Sequence, residues 1–340
     1  MPEISGFAFP NDIHVHWSLM IVMYPYITGF VAGSFIVTAL YELFGKTEFR
    51  PVARLSLAAS FSFLLVAGLP LQLHLGHPER SFEIFLTPQL SSAMAMFGFV
   101  YAWYLMGVLL LEVWFEYRRD LIVLGGQDRG PIGWIHRALS LFSKDTSDDS
   151  VAFDRKAIKV ITRRSRGLKR AFYAALARGT YDTSPEALDI DHRAITLLSA
   201  IGPPSACMLH GYVGFIFGGI KANPWWSTPL MPIIFLLSAA VSGIALLILI
   251  YQVTAKLGRR RVEPETVQSM VRWLWFFLII TVTLELLEII MLAYENSEEW
   301  HIISPLLTTR LQFSFISMQM IIGSLIPFRS EERRVGKECR

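Results

Sequence analysis

"PLMPIIFLLSAAVSGIALLILIYQVT", residues 229–254, contains no charged side chain. A helix rises about 1.5 Å per residue and the hydrocarbon core of a bilayer is about 30 Å thick, so about 20 apolar residues cross it. The stretch is long enough to span, and it shows none of the alternation of a barrel strand. A spanning segment must satisfy its own backbone, so it is read as a transmembrane helix.

Six more segments read the same way, near 17–43, 53–74, 90–115, 194–219, 271–294 and 305–328. The expected fold is therefore all-α, a polytopic bundle with seven spanning helices. Composition agrees. The 340 residues are 53% hydrophobic and 17% charged, against about 25% charged in soluble proteins. The first segment is not a signal peptide, since it lacks a basic start and a small-residue cleavage site and is too long.

Other classes fall away. Cys207 and Cys339 form no CxxC, zinc spacing or cluster-ligand set, which excludes an iron–sulfur cluster held by this chain. No Gly-rich phosphate loop occurs, and a net charge of +3 suggests no nucleic-acid partner.

Lys and Arg orient the bundle. The connections 44–54, 117–193 and 255–272 hold 3, 15 and 5 of them, whereas the N-terminus and the connections 75–89, 218–229 and 295–310 hold 0, 1, 1 and 1. Positive loops stay in the cytoplasm, so the N-terminus is expected outside a cytoplasmic (inner) membrane. The 117–193 insert contains "AIKVITRRSRGLKRAFYAALARG", a basic amphipathic helix suited to anionic headgroups or, as the sharper alternative, to a cytoplasmic partner. The last twelve residues, "RSEERRVGKECR", carry eight charges and no aromatic. They resemble the conceptual translation of a sequencing adapter. The expected organisation is a membrane domain over 1–328 and a foreign tail over 329–340.

With that orientation, titratable residues gather at the outer face. "LQLHLGHPERSFEIFLTP" (71–88) places His74, His77, Glu79 and Arg80 at the end of helix 2. "FPNDIHVHWSLM" places Asn11, Asp12, His14 and His16 before helix 1, and His210 and Tyr212 lie in the outer half of helix 4. An interfacial His or Tyr often only anchors a helix at headgroup level. A His below the interface is costly and tends to face a cavity or a partner. Three helices placing His at one end, and none in the inner half of any span, favours a site.

A quinone suits it. Its two oxygens exchange protons as electrons move, so binding wants a donor or acceptor for each, apolar walls and a base that titrates near neutrality. His and Tyr supply these groups. Stacked haems would need histidines in both leaflets, which are absent. One outer haem, for example on His74 and His210, stays open, as a single-haem b-type cytochrome subunit.

These residues carry a resemblance. "PNDIHVHW" (10–17), "HLGHPERSFEIFLTPQLSSAMAMFGFVY" (74–101) and "HGYVGFIFGGIKANPWWSTPLMPIIFLLSAAVSG" (210–243) resemble the membrane subunits of the polysulfide reductase and NrfD family, over most of residues 7–328. The resemblance implies a haem-free anchor that binds menaquinone or ubiquinone and is not catalytic alone. A ferredoxin-like subunit with four-iron clusters would sit on the outer face and connect it to a molybdopterin enzyme or a multihaem cytochrome. By position, Tyr212 resembles the pocket tyrosine, and His74 or His77 the pocket histidine. The residue between Gly76 and Pro78 is often Arg in relatives and is His77 here. A polar pair of some relatives falls on Leu19 and Val22, leaving His16 as a weaker substitute. Family members have at least eight helices, so more than the seven are expected in the complete protein.

Helix 6, "WLWFFLIITVTLELLEIIMLAY", carries Glu285 and Glu288 on one face, with Arg310 in helix 7 placed to neutralise one of them. They read either as a structural pair joining helices 6 and 7 or as a proton route. Glu112 and Glu116 read as interfacial. Buried carboxylates also admit a transporter, but neither broken helices nor symmetry between halves is evident in the sequence.

Overall fold

The computed structural model describes residues 18–75, 78–86, 91–127, 184–220 and 223–328, leaving aside the side chains at 94 and 121–127. In chain order the helices are α1 (Leu19–Glu42), α2 (Arg50–Ala67), α3 (Leu69–His74), α4 (Glu83–Leu86), α5 (Ala93–Ala102), α6 (Leu110–Gln127), α7 (Pro185–Gly218), α8 (Met231–Leu257), α9 (Pro264–Glu295) and α10 (Glu298–Thr308). Two π-helical stretches accompany them, Trp103–Leu109 between α5 and α6 and Gln312–Leu325 after α10. The described residues contain no strand. The all-α expectation holds.

The expected seven spans are recovered only in part among the described residues. Among the described residues five segments are long and apolar enough to cross a membrane: Leu19–Glu42, Thr47–His74, Ala95–Asp120, Met231–Leu257 and Pro264–Glu295. A sixth arises if Glu298–Thr308 and Gln312–Phe328, bent by 81°, count as one. The expected fourth segment forms as α7, whose 34 residues reach about 51 Å. Pro203, Pro204 and His210 interrupt its apolar run.

Prolines explain the other departures. Helix 2 divides at Gly68, where Pro70 opens α3. The seventh segment, expected as one run over 305–328, bends near Thr309, whose hydroxyl donates to the Pro305 carbonyl at 2.6 Å.

Helix α1 is the central post, packed by α2, α7 and α8. Its contact with α8 is backbone on backbone: a Cβ built on Gly33 would lie 2.0 Å from the Ala239 carbonyl oxygen, and one on Gly243 would lie 2.4 Å from the Gly33 Cα. Gly29 and Gly33 on α1 face Ala239 and Gly243 on α8. This is the small-residue spacing that lets membrane helices approach closely. Hydroxyls join α1 to α2: Ser60 donates to the Val31 carbonyl at 3.2 Å, Thr38 to the Ala53 carbonyl at 3.2 Å, and Ser56 to the Ser34 carbonyl. Such bonds hold where no hydrophobic force drives helices together.

Two apolar clusters fill the bundle. One runs along α1 through Tyr24, Phe35, Tyr104, Leu209 and Phe217. The other sits at the far end of α1 with Phe49, Val52, Leu247 and Met270. The bundle thus has two ends, one marked by His74 and the other by Arg54.

Candidate functional site

At the His74 end, α3 stops at His74, and its Nδ1 lies 2.8 Å from the Ser18 hydroxyl at the start of α1. His74 is half-buried, and no other partner of its ring is found among the described residues. Beyond it, Arg80 grips Glu83 through Nε at 2.9 Å and a second nitrogen at 3.2 Å. Hydrogen bonding from Arg80 holds the Glu83 carboxyl below its ordinary range. Both are exposed, so the pair fixes the shape of the connection rather than adding stability.

His210 sits elsewhere. Only 2% of it is exposed, and its Nδ1 lies 3.2 Å from the Thr28 hydroxyl. Gly29 leaves the room it fills, since a Cβ there would meet the imidazole at 3.3 Å. Its ring lies 5.6 Å from Phe235, whose own ring continues to Phe217 and Trp226. His210 is thus enclosed where α1, α7 and α8 meet.

Thr28 follows Ser18 by ten residues, or about 15 Å along α1. His74 and His210 are therefore not brought together, whereas two axial ligands of one iron face each other a few ångströms apart. The haem pairing left open by the sequence fails on this geometry.

Tyr212 follows His210 by two residues and points about 200° around the helix from it. It shares a face with Ser205, which accepts from the Trp103 indole at 3.1 Å, so it turns toward the third span. Tyr212 is half-buried and lies 5.6 Å from Phe215.

The carboxylates of α9 form a separate group. Glu285 accepts from the Gln319 amide at 2.7 Å, and Glu288 meets the Thr228 hydroxyl. Trp225, in the same connection as Thr228, packs edge-on to Phe315 at 6.1 Å. Among the described residues Arg310 makes no ion pair with either carboxylate; Gln319 takes the place expected of it. Because α9 packs mainly on α8, this group is carried by helices other than those that hold His74 and Tyr212. His14, His16, Gly76 and His77 lie outside the described residues, as do the tail and most of the basic insert.

At the Arg54 end the reading of Glu112 as interfacial is corrected. Glu112 is 0% exposed and accepts from the Ser199 hydroxyl at 2.5 Å. Arg54 pairs with Glu116 at 2.9 Å and with Asp120, and stacks over Tyr117 at 4.4 Å. Arg118 holds Asp191 through Nε at 2.8 and 3.0 Å, tying α6 to the start of α7. The spacing of Glu112, Glu116 and Asp120 marks one helix face in the sequence. Its inward turn is not legible there, because the end of an apolar run does not say which side meets lipid.

No group of three or more His, Cys, Asp or Glu among the described residues is arranged to hold a metal ion.

Comparison with known proteins places this architecture. A selenate reductase subunit of Mesobacillus selenatarsenatis is 28% identical over 236 residues, covering 69% of this chain and 47% of that protein. A putative dimethyl sulfoxide reductase membrane subunit of Halobacterium salinarum is 24% identical over 241 residues, covering 69% and 42%. The chain spans about half the length of these curated relatives. The family profile described as "Polysulphide reductase, NrfD" matches residues 10–330, nearly the whole bundle. The chain belongs to the NrfD polysulphide reductase family of membrane subunits.

Proposed function

We propose that this chain is the quinone-reactive membrane anchor of a respiratory reductase complex. It would exchange electrons between the quinone pool, menaquinone or ubiquinone, and a peripheral iron–sulfur subunit. The observation that carries the reading is the polar corner at one end of a family bundle, where Ser18 fixes one nitrogen of a half-buried His74. The other nitrogen is left for a head-group oxygen. A histidine in either tautomer can then donate to or accept from that oxygen. Tyr212, half-buried on the face toward the third span, offers a second donor, and like Leu71 and Phe63 it packs against the apolar core along α1. His16 and His77, outside the described residues, are added to the proposed site on sequence grounds. His210 would support the fold around it rather than touch the ligand. Bound quinone supplies two-electron, two-proton chemistry; the residues of this chain would bind it and hold or pass protons at its oxygens.

The charge asymmetry of the loops supports an outer placement of the His74 end, with the basic 117–193 insert in the cytoplasm. The electron partner, a subunit carrying four-iron clusters, would cover the outer face and lead to a molybdopterin or multihaem enzyme. The relatives named for selenate and dimethyl sulfoxide reductases suit such a complex. Glu285 and Glu288 remain a proposed proton route.

Binding of quinone analogues to the purified protein tests the pocket. His74→Ala and Tyr212→Phe are each expected to weaken binding by about 0.5–1.5 kcal/mol, the worth of one neutral hydrogen bond. A Soret band in the purified chain would favour a haem subunit. Unchanged affinity in both variants would reject the pocket.

A further inference from the structure

The carboxylates of α6 form a ladder that the proposed redox site does not use. Glu112, Glu116 and Asp120 follow one another at one-turn spacing, and their exposure rises from 0% to 19% to 26%. Their helix begins directly after the π stretch Trp103–Leu109, a backbone irregularity frequent at functional sites.

Glu112 itself is under-partnered. One oxygen accepts from Ser199, while Oε2 is buried with no hydrogen-bond partner. An ionised carboxylate offers about four acceptor sites. The basic group that faces the ladder, Arg54 of α2, is engaged by Glu116 and Asp120. The remaining neighbours do not compensate a charge: Glu42 of α1 and Glu116 are acidic, and the buried Tyr104 hydroxyl makes no hydrogen bond among the described residues. From α7, His192 faces Glu116 rather than Glu112. A bare carboxylate would be uncompensated there; a carboxylic acid would not.

We infer that Glu112 is a proton-exchange site: a neutral acid in the interior that trades its proton with Glu116 and Asp120 at the Arg54 end of the bundle. The step moves one proton from Glu112 to the Glu116 carboxylate, neutralising one acid and ionising the other. The site lies at the opposite end from His74 and stands whether or not quinone binds there.

Infrared spectroscopy of the full chain in lipid nanodiscs at neutral pH reads it directly. The carbonyl stretch of a protonated carboxyl is expected in the wild type and its Glu112 component lost in Glu112→Gln. Ser199→Ala, which keeps the acid, should shift that component to higher frequency by removing its hydrogen-bond donor. Glu116→Gln should keep the component but slow its deuterium shift in heavy water. A spectrum unchanged by Glu112→Gln overturns the neutral acid, and a component unmoved in Ser199→Ala overturns its placement against Ser199. Exchange as fast in Glu116→Gln as in the wild type overturns the ladder.

Discussion

Gly33→Val should yield little monodisperse protein in detergent. At Gly33 the backbones of α1 and α8 touch, and a Cβ would fall 2.0 Å from the Ala239 carbonyl oxygen, with backbone rather than a movable side chain in the way. The helices must part along the contact that centres the bundle. Overpacking costs about 1–3 kcal/mol, more when backbones must move, from a total stability of about 5–15 kcal/mol. Gly243→Val meets the same obstacle from the other side. Gly29→Ala is the control: its Cβ would meet the His210 ring at 3.3 Å, which a small shift accommodates. Thermal unfolding followed by tryptophan fluorescence checks all three. Melting of Gly33→Val within a few degrees of the wild type would contradict the packing.

The Arg118–Asp191 pair gives the second large effect. The side chains are 6% and 10% exposed and joined by bidentate contacts. Arg118→Met strands a buried carboxylate and is expected to cost about 3–5 kcal/mol, and Asp191→Leu takes from Arg118 its bidentate acceptor. The double variant removes both members of the pair and should be more stable than Arg118→Met alone. Because the pair joins α6 to the start of α7, its loss should loosen the Arg54 end and spare the His74 end. A double-mutant cycle on thermal stability measures the coupling. Additive losses would show that the two charges do not stabilise one another.

What the sequence reveals depends on how much each feature needs a neighbour. Helix α8 is legible because an uncharged run of that length has one stable form in lipid. Helix α7 is legible as a helix, yet its prolines and His210 blur its apolar character. The break at Gly68 and the bend near Thr309 follow from Pro70 and Pro305, which are plain in the sequence but sit inside runs that look continuous by apolar content alone. Gly29-x-x-x-Gly33 and Ala239-x-x-x-Gly243 are also in plain view. Only packing shows that they meet.

The site divides in the same way. Helical periodicity sends His210 and Tyr212 to different sides of α7, but which side is buried depends on α1 and α8. Glu112 escapes a sequence reading because distance from the end of a span does not fix the direction in which a side chain faces. His74, by contrast, sits where a helix ends, and such an end is what Gly76 and Pro78 mark in the sequence. Arg310 is the expected answer to Glu285; the Gln319 amide, beyond the bend near Thr309, answers instead.

The redox role proposed for this chain rests on quinone meeting it at the His74 end. Photolabelling native membranes with a light-activated quinone analogue, followed by peptide mapping, decides the matter. Label is expected on peptides from 69–86 and 205–220, diminished by excess natural quinone and lost in His74→Ala. Label confined to peptides around Arg54 and Glu112, or label that natural quinone does not displace, would contradict it.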